Sequence, residues 1–401
     1  MNAYTILIFL SGLVIFSYLF DLFAKRTRLP SVLLLLALGI GMRALSDAWG
    51  YSFPQVAMVL PTLGNIGLIL IVFEGALELE YERSKRPMIR KAFATALFLL
   101  LLTTAGIAAV LHYLTDAAVL TCIANAVPLS VISSAVAIPS ASGLSADRKE
   151  FVVYESTFSD ILGIILFNFI VTNTTFGMQA FGGLGLEIFG VLALSAVFSM
   201  ALLWLLGRIK HHVKFFLILA ILVMVYGVGK QFHLSSLVVV LAFGMFLANA
   251  HQLPFAWFKQ RFMYTDFNKD IEQFHSLSSE SAFLIRTFFF VLFGYSVVVA
   301  EVAQREVLIL GGALLVVTYL LRALFLKFAV RLDLRPLLYI TPRGLISILL
   351  YLSLPEQLRM PEVGMGLLFV LVLATCFIMA MGLLGARGLV RSLGDLGDPS
   401  K

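Results

Sequence analysis

Charge is scarce in this sequence: only 13% of its 401 residues are charged, against 60% that are hydrophobic. A soluble domain carries about 25% charged residues, so a water-soluble globule is excluded. Cysteine is scarcer still. Cys122 and Cys376 are the only two, and both lie inside apolar runs, which argues for buried thiols and against a disulfide framework or a metal site. The six histidines form no His-Glu-x-x-His pair, which removes a zinc protease. Runs such as Ala94 to Val110 lack the alternating polarity of barrel strands. No soluble regulatory domain and no cofactor are expected.

What the chain has instead is apolar runs of about 20 residues from end to end, each long enough to cross a bilayer. Helices satisfy their own backbone in lipid. The expected fold class is an all-α polytopic membrane protein of about 13 transmembrane helices. The spans read as 4–24, 30–47, 60–80, 91–114, 118–141, 151–173, 182–207, 213–230, 234–250, 278–299, 306–328, 336–355 and 364–387. Met1 to Phe23 lacks a basic start and a small-residue cleavage site, so it reads as a retained span rather than a signal peptide.

The net charge of +6 has a topological explanation that removes a nucleic-acid partner. Most Lys and Arg fall in the loops after odd-numbered spans and in the tail. Only Arg43, Lys230, Arg305 and Arg359 follow even-numbered ones, and Arg286, Arg322 and Arg343 fall within spans. The positive-inside rule then expects odd loops in the cytoplasm, the N-terminus outside and the C-terminus inside, in a cell (inner) membrane with lipid around it. The basic, aromatic stretch around Trp257, Phe258, Lys259, Arg261 and Phe262 lies in the longest loop, about Ala250 to Leu277. It is expected to rest on the membrane surface or to form an ordinary cytoplasmic loop.

Spans 5 and 12 are interrupted. The first contains Pro128 and then Ser133-Ser134-Ala135-Val136-Ala137-Ile138-Pro139, the second Thr341-Pro342-Arg343-Gly344. Proline deletes a helix hydrogen bond and clashes with the preceding turn. Segments seven spans apart run in opposite directions. The chain therefore divides into six-helix inverted repeats, about 4–173 and 213–387, around a connector helix at 182–207, forming a single integral domain. Broken helices in corresponding positions locate a transport site.

Ionisable groups at membrane depth are costly and mark function or pairing. Glu74, Glu155, Arg286 and Arg322 lie roughly 8–12 Å inside one boundary at 1.5 Å per residue. Glu74, Glu155 and Arg322 are expected to form a structural ion cluster, with Arg286 and Arg343 as further candidates. Asp160 is counted roughly 16 Å deep, level with Ser134 at the break and flanked by Ser159 and Ser133. A carboxylate among hydroxyls and freed carbonyls makes a hard oxygen site for a monovalent cation. Burial disfavours the charged carboxylate, so protons and cations compete for one group.

At these residues the chain resembles the monovalent cation:proton antiporter superfamily, in particular its NhaP-like sodium/proton exchanger branch. Leu70-Ile71-Val72-Phe73-Glu74-Gly75-Ala76-Leu77-Glu78-Leu79 is similar to the third-span signature. Glu155-Ser156-Thr157-Phe158-Ser159-Asp160, followed by Ile164-Ile165-Leu166-Phe167-Asn168, is similar to the sixth-span signature. Arg322 matches the arginine of the eleventh span, while Phe288 to Gly294 and Pro342-Arg343-Gly344-Leu345 are weaker echoes. The resemblance implies a homodimer with a mobile core moving elevator-fashion. It also implies Asp160 as the carrier of Na+ (or K+ or Li+) and H+, Ser156 as a ligand, and Glu155 with Arg322 as a structural pair supported by Glu74. Two departures stand out. Ser133-Ser134-Ala135 occupies the place of the family's threonine-aspartate-proline, and Ser159 replaces an asparagine. An organic-anion symporter using Arg343, or a channel or transport-dead ion sensor, remains an alternative.

Overall fold

The computed structural model describes residues 3–27, 30–50, 56–79, 83–173, 178–208, 215–232, 235–252, 267–330 and 335–395. The stretch around Trp257, expected on the membrane surface or as an ordinary cytoplasmic loop, lies outside them. The described residues form helices and short connections. In chain order the helices are α1 (Ala3–Thr27), α2 (Ser31–Ala48), α3 (Val56–Leu77), α4 (Arg86–Thr115), α5 (Val119–Ser130), α6 (Ser134–Ser140) and α7 (Ala146–Thr172). Then follow α8 (Met178–Arg208), α9 (Phe215–Gln231), α10 (Ser236–Asn249), α11 (Phe267–Ser296), α12 (Val299–Val302), α13 (Arg305–Phe325), α14 (Leu345–Leu352) and α15 (Met365–Asp395). Among the described residues, eight helical segments are long and apolar enough to cross a membrane, and four shorter apolar helices accompany them.

Helix ends follow local chemistry. Pro87 sits in the first turn of α4, where a missing N–H costs nothing. The same helix stops at Asp116, which takes a left-handed φ of 54° and returns its N–H to His112 O at 2.9 Å. Span 5 is two short helices. α5 carries Pro128 in its last turn, the chain runs extended through Val131, and α6 restarts at Ser134. Span 12 is less helical than its apolarity suggests. A 3₁₀ turn at Leu337–Tyr339 leads into a non-helical stretch, and only α14 completes the span.

Span 10 differs from the expectation at its start, for α11 begins at Phe267 rather than near residue 278. Its first turns, Asn268-Lys269-Asp270-Ile271-Glu272-Gln273, are polar. Hydropathy marks where lipid begins, whereas helix continues wherever backbone bonds and propensity allow.

The strongest packing gathers the helices into two groups. α4 packs on α5, α7 and α13, with α6, α14 and α15 closing that bundle around the two interrupted spans. α3 packs on α10 and α11, α2 on α11, and α8 and α9 on α10. Outward faces are apolar, as at Leu186, Phe189 and Leu192 on α8 and Ile309, Val316 and Leu320 on α13. Continuous apolar surface of this kind is a liability in water and suits lipid.

The contact of α2 with α11 is a backbone contact. A Cβ at Gly39 would stand 2.2 Å from Val291 O, and one at Gly294 would stand 2.5 Å from Leu36 O. Around it Phe289, Phe290 and Phe293 are fully buried. Replacing Gly294 by valine is expected to destabilise the protein by about 3 kcal/mol or more. The check is a lowered melting temperature in detergent, with no such loss for Gly312→Val, where no atom lies within 4 Å.

Candidate ion site at the crossing of the interrupted helices

One face of α7 delivers Glu155, Ser156, Ser159 and Asp160 to the interior, all buried. Glu155 meets Arg322 of α13 in a two-pronged pair, Nη1 to Oε1 at 2.7 Å and Nη2 to Oε2 at 3.0 Å. Arg322 Nε donates to Leu337 O at 3.0 Å. Both side chains are 2% exposed. Removing two charges from water is expensive, and only saturated, well-aligned geometry offsets it. This pair has that geometry, and it ties α7 to α13 and to the 3₁₀ turn that leads into α14.

The two interruptions cross. Ser133 N–H donates to Pro342 O at 2.9 Å, and Arg343 Nη1 donates to Val131 O at 3.0 Å. Arg343 N–H is in turn taken by Thr375 Oγ1 of α15 at 2.9 Å. A Cβ on Gly344 would lie 2.6 Å from Ser133 Oγ, so the crossing closes only because position 344 has no side chain. Val131 O belongs to the open carbonyl end of α5, where partial negative charge collects. Arg343, 3% exposed, has no carboxylate within ion-pair distance among the described residues. Its positive charge is spent on that carbonyl end and on Thr341 Oγ1.

Asp160 stands beside the crossing. Its Oδ2 accepts the Ser134 N–H at 3.0 Å, while its Oδ1 is buried without a hydrogen-bond partner among the described residues. Ser159 Oγ accepts Ile132 N–H at 2.9 Å and so fastens α7 to the first interruption. Ser156 Oγ donates to Val152 O at 2.7 Å, which leaves its oxygen lone pairs free to accept. Ser133 Oγ has no hydrogen-bond partner among the described residues. Behind Ser159 lies a void of about 10 Å³, walled by Ser130, Thr318, Thr341, Arg322 and Arg343, the space of one water molecule.

Glu74 departs from the expected three-residue cluster. Its carboxylate faces Arg286 Nη2 of α11 at 3.6 Å and accepts Ser279 Oγ–H at 3.0 Å, while Arg322 is taken up by Glu155. The groups counted at one depth therefore form two pairs. Arg286 Nη1 also reaches Ala135 O in α6 at 3.3 Å. Beside the Glu74–Arg286 pair opens a cavity of about 210 Å³ lined by Glu74, Glu78, Ser134, Ser279 and Arg286. Glu78 and Ser279 are not among the site residues expected from sequence. Spacing is the signal that points to them: Glu78 is one turn beyond Glu74, and Ser279 two turns before Arg286.

A family model described as "Sodium/hydrogen exchanger, transmembrane" matches residues 11–384. Two solved structures of the sodium proton antiporter MjNhaP1 from Methanocaldococcus jannaschii share the architecture. One is 17% identical with a TM-score of 0.72, covering 95% of this chain and 100% of that one. The other, seen by electron microscopy, is 16% identical with a TM-score of 0.69, covering 100% of both. No curated protein sequence matches the chain.

The Glu155–Arg322 geometry carries a stability prediction. Glu155→Gln is expected to cost about 3–5 kcal/mol, because it leaves an unneutralised guanidinium in the interior. The double replacement Glu155→Leu with Arg322→Met is expected to cost less than the sum of the singles in a cycle of detergent melting curves.

Proposed function

Because the chain belongs to the sodium/hydrogen exchanger family, we propose that it is a secondary antiporter that exchanges a monovalent cation for protons at Asp160. The observation that carries this reading is the state of that carboxylate. It is 5% exposed, one oxygen is held by a backbone N–H, and the other oxygen has no hydrogen-bond partner among the described residues. A buried oxygen of that kind is stable only with a proton or a cation on it. One occupant excludes the other, and mutual exclusion is what couples the two flows.

When a cation is bound, Asp160 supplies the charge, and the oxygens of Ser133, Ser134 and Ser156 are the hydroxyl candidates to complete an oxygen shell. Ser159 acts by holding the interruption in place. Na+ is the first expectation, with K+ and Li+ as competitors. With Ser134 in place of a second carboxylate, one cation is traded for one proton and no net charge moves. Transport then shifts the bundle of α4 to α7 and α13 to α15 against α2, α3, α10 and α11 in an elevator-like step. A homodimer in a cell (inner) membrane, with the basic loops in the cytoplasm, is the proposed setting.

Proteoliposomes holding an acid interior and a pH-sensitive dye test this. Adding Na+, K+ or Li+ is expected to dissipate the gradient in the wild type, independently of an imposed membrane potential, and not in Asp160→Asn. An unchanged response in that variant would sink the assignment. No response of the wild type to any of the three ions would turn attention to anion uptake.

A further inference from the structure

The cavity between α3, α6 and α11 holds one carboxylate that the exchange reaction as described leaves unused. Glu74 is already engaged by Arg286 and Ser279. Glu78 lies one turn further along the chain, just past the end of α3, its N–H bonded to Glu74 O at 3.1 Å, and its side chain lines the cavity wall. No hydrogen bond or ion pair holds that side chain among the described residues. The charged groups that face it are Glu74 on α3, Arg286 from α11 and Lys149 from the start of α7. Of these, Arg286 is committed to Glu74 and to Ala135 O. Among the side chains that line the cavity, two carboxylates stand against one guanidinium, and Lys149 acts on Glu78 from outside that lining.

The opposite wall is Ser134, whose N–H holds Asp160. Asp160, whose Oδ2 that N–H holds, is thus one residue removed from a cavity whose lining has one more carboxylate than guanidinium. The cavity, at about 210 Å³, has room for several waters, for each of which about 10–15 Å³ suffices. Resting on the exchange reading of Asp160, we infer that Glu78 is an outer cation station, which binds one partly hydrated monovalent cation and passes it across Ser134 to Asp160. Its ligands are the Glu78 carboxylate, the Ser279 and Ser134 oxygens and water. Because water keeps much of the ion's first shell, the station selects for charge and not for size. It raises the local concentration of whichever cation Asp160 accepts.

Transport kinetics in proteoliposomes test the station. Glu78→Gln is expected to raise the apparent KM by about three- to tenfold, the effect of a single unit charge acting through a hydrated cavity. The factor is expected to be the same for each of Na+, K+ and Li+ that the wild type transports, with a smaller change in kcat. Glu78→Asp is expected to return KM towards the wild type, and inert choline salt to narrow the gap between wild type and Glu78→Gln. Asp160→Asn run in parallel separates the two claims. If that variant still exchanges ions, the reading of the central site fails regardless of Glu78. If it is silent while Glu78→Gln keeps the wild-type KM for every transported ion, the outer station is overturned. The station is equally overturned if neither Glu78→Gln nor Glu78→Ala gives folded protein by melting temperature, since Glu78 would then be a structural residue.

Discussion

Everything at the centre of this protein depends on how two interrupted helices satisfy each other's backbone. Inside a membrane a loose N–H or carbonyl has no water to turn to. Here Ser133 gives its N–H to Pro342 O, Arg343 gives its guanidinium to Val131 O, and Ser159 takes the N–H of Ile132. The remaining Ser134 N–H goes to Asp160. The carboxylate of the proposed ion site is thereby one of the partners that keep the crossing intact. Structure and chemistry are not separable at this point, because one hydrogen bond serves both.

The three intramembrane arginines are put to three different uses. Arg322 meets a carboxylate in saturated, dry geometry and holds helices together. Arg343 meets only carbonyl and hydroxyl oxygen and offsets the charge at the end of a broken helix. Arg286 meets Glu74 at a looser 3.6 Å and touches Ala135 O across a cavity. The planar fork and permanent charge of arginine suit all three tasks. What distinguishes them is the dryness of the surroundings and the number of acceptors within reach.

Much of this is legible in the sequence. Apolar run length marks the chain as a bundle of membrane-crossing helices, and eight described helices are long and apolar enough to cross. Counting residues from the boundaries also puts Glu155 level with Arg322, which the fold then pairs. Height along a helix is all that such counting gives, however. It does not say towards which neighbour a side chain points, and so it groups Glu74 with Arg322 when the partner of Glu74 is Arg286. The crossing itself is out of reach, since it joins residues near 132 to residues near 342. Proline reveals that a helix is interrupted but not what its freed groups find. The long polar start of α11 is hidden for a different reason, because hydropathy responds to the solvent and not to the backbone.

The glycine contact between α2 and α11 has a mechanical consequence. Where Gly39 and Gly294 meet, main chain rests on main chain with no side chains between to tilt or slip. Two helices joined in that way resist sliding along each other, because any shift along the axis drives a carbonyl into the opposing backbone. They form a stiff rail. Around the cavity beside them the lining includes long side chains instead, Glu74, Glu78 and Arg286, which change length by changing rotamer. Compliance in this molecule is thus concentrated on one side of α11 and stiffness on the other.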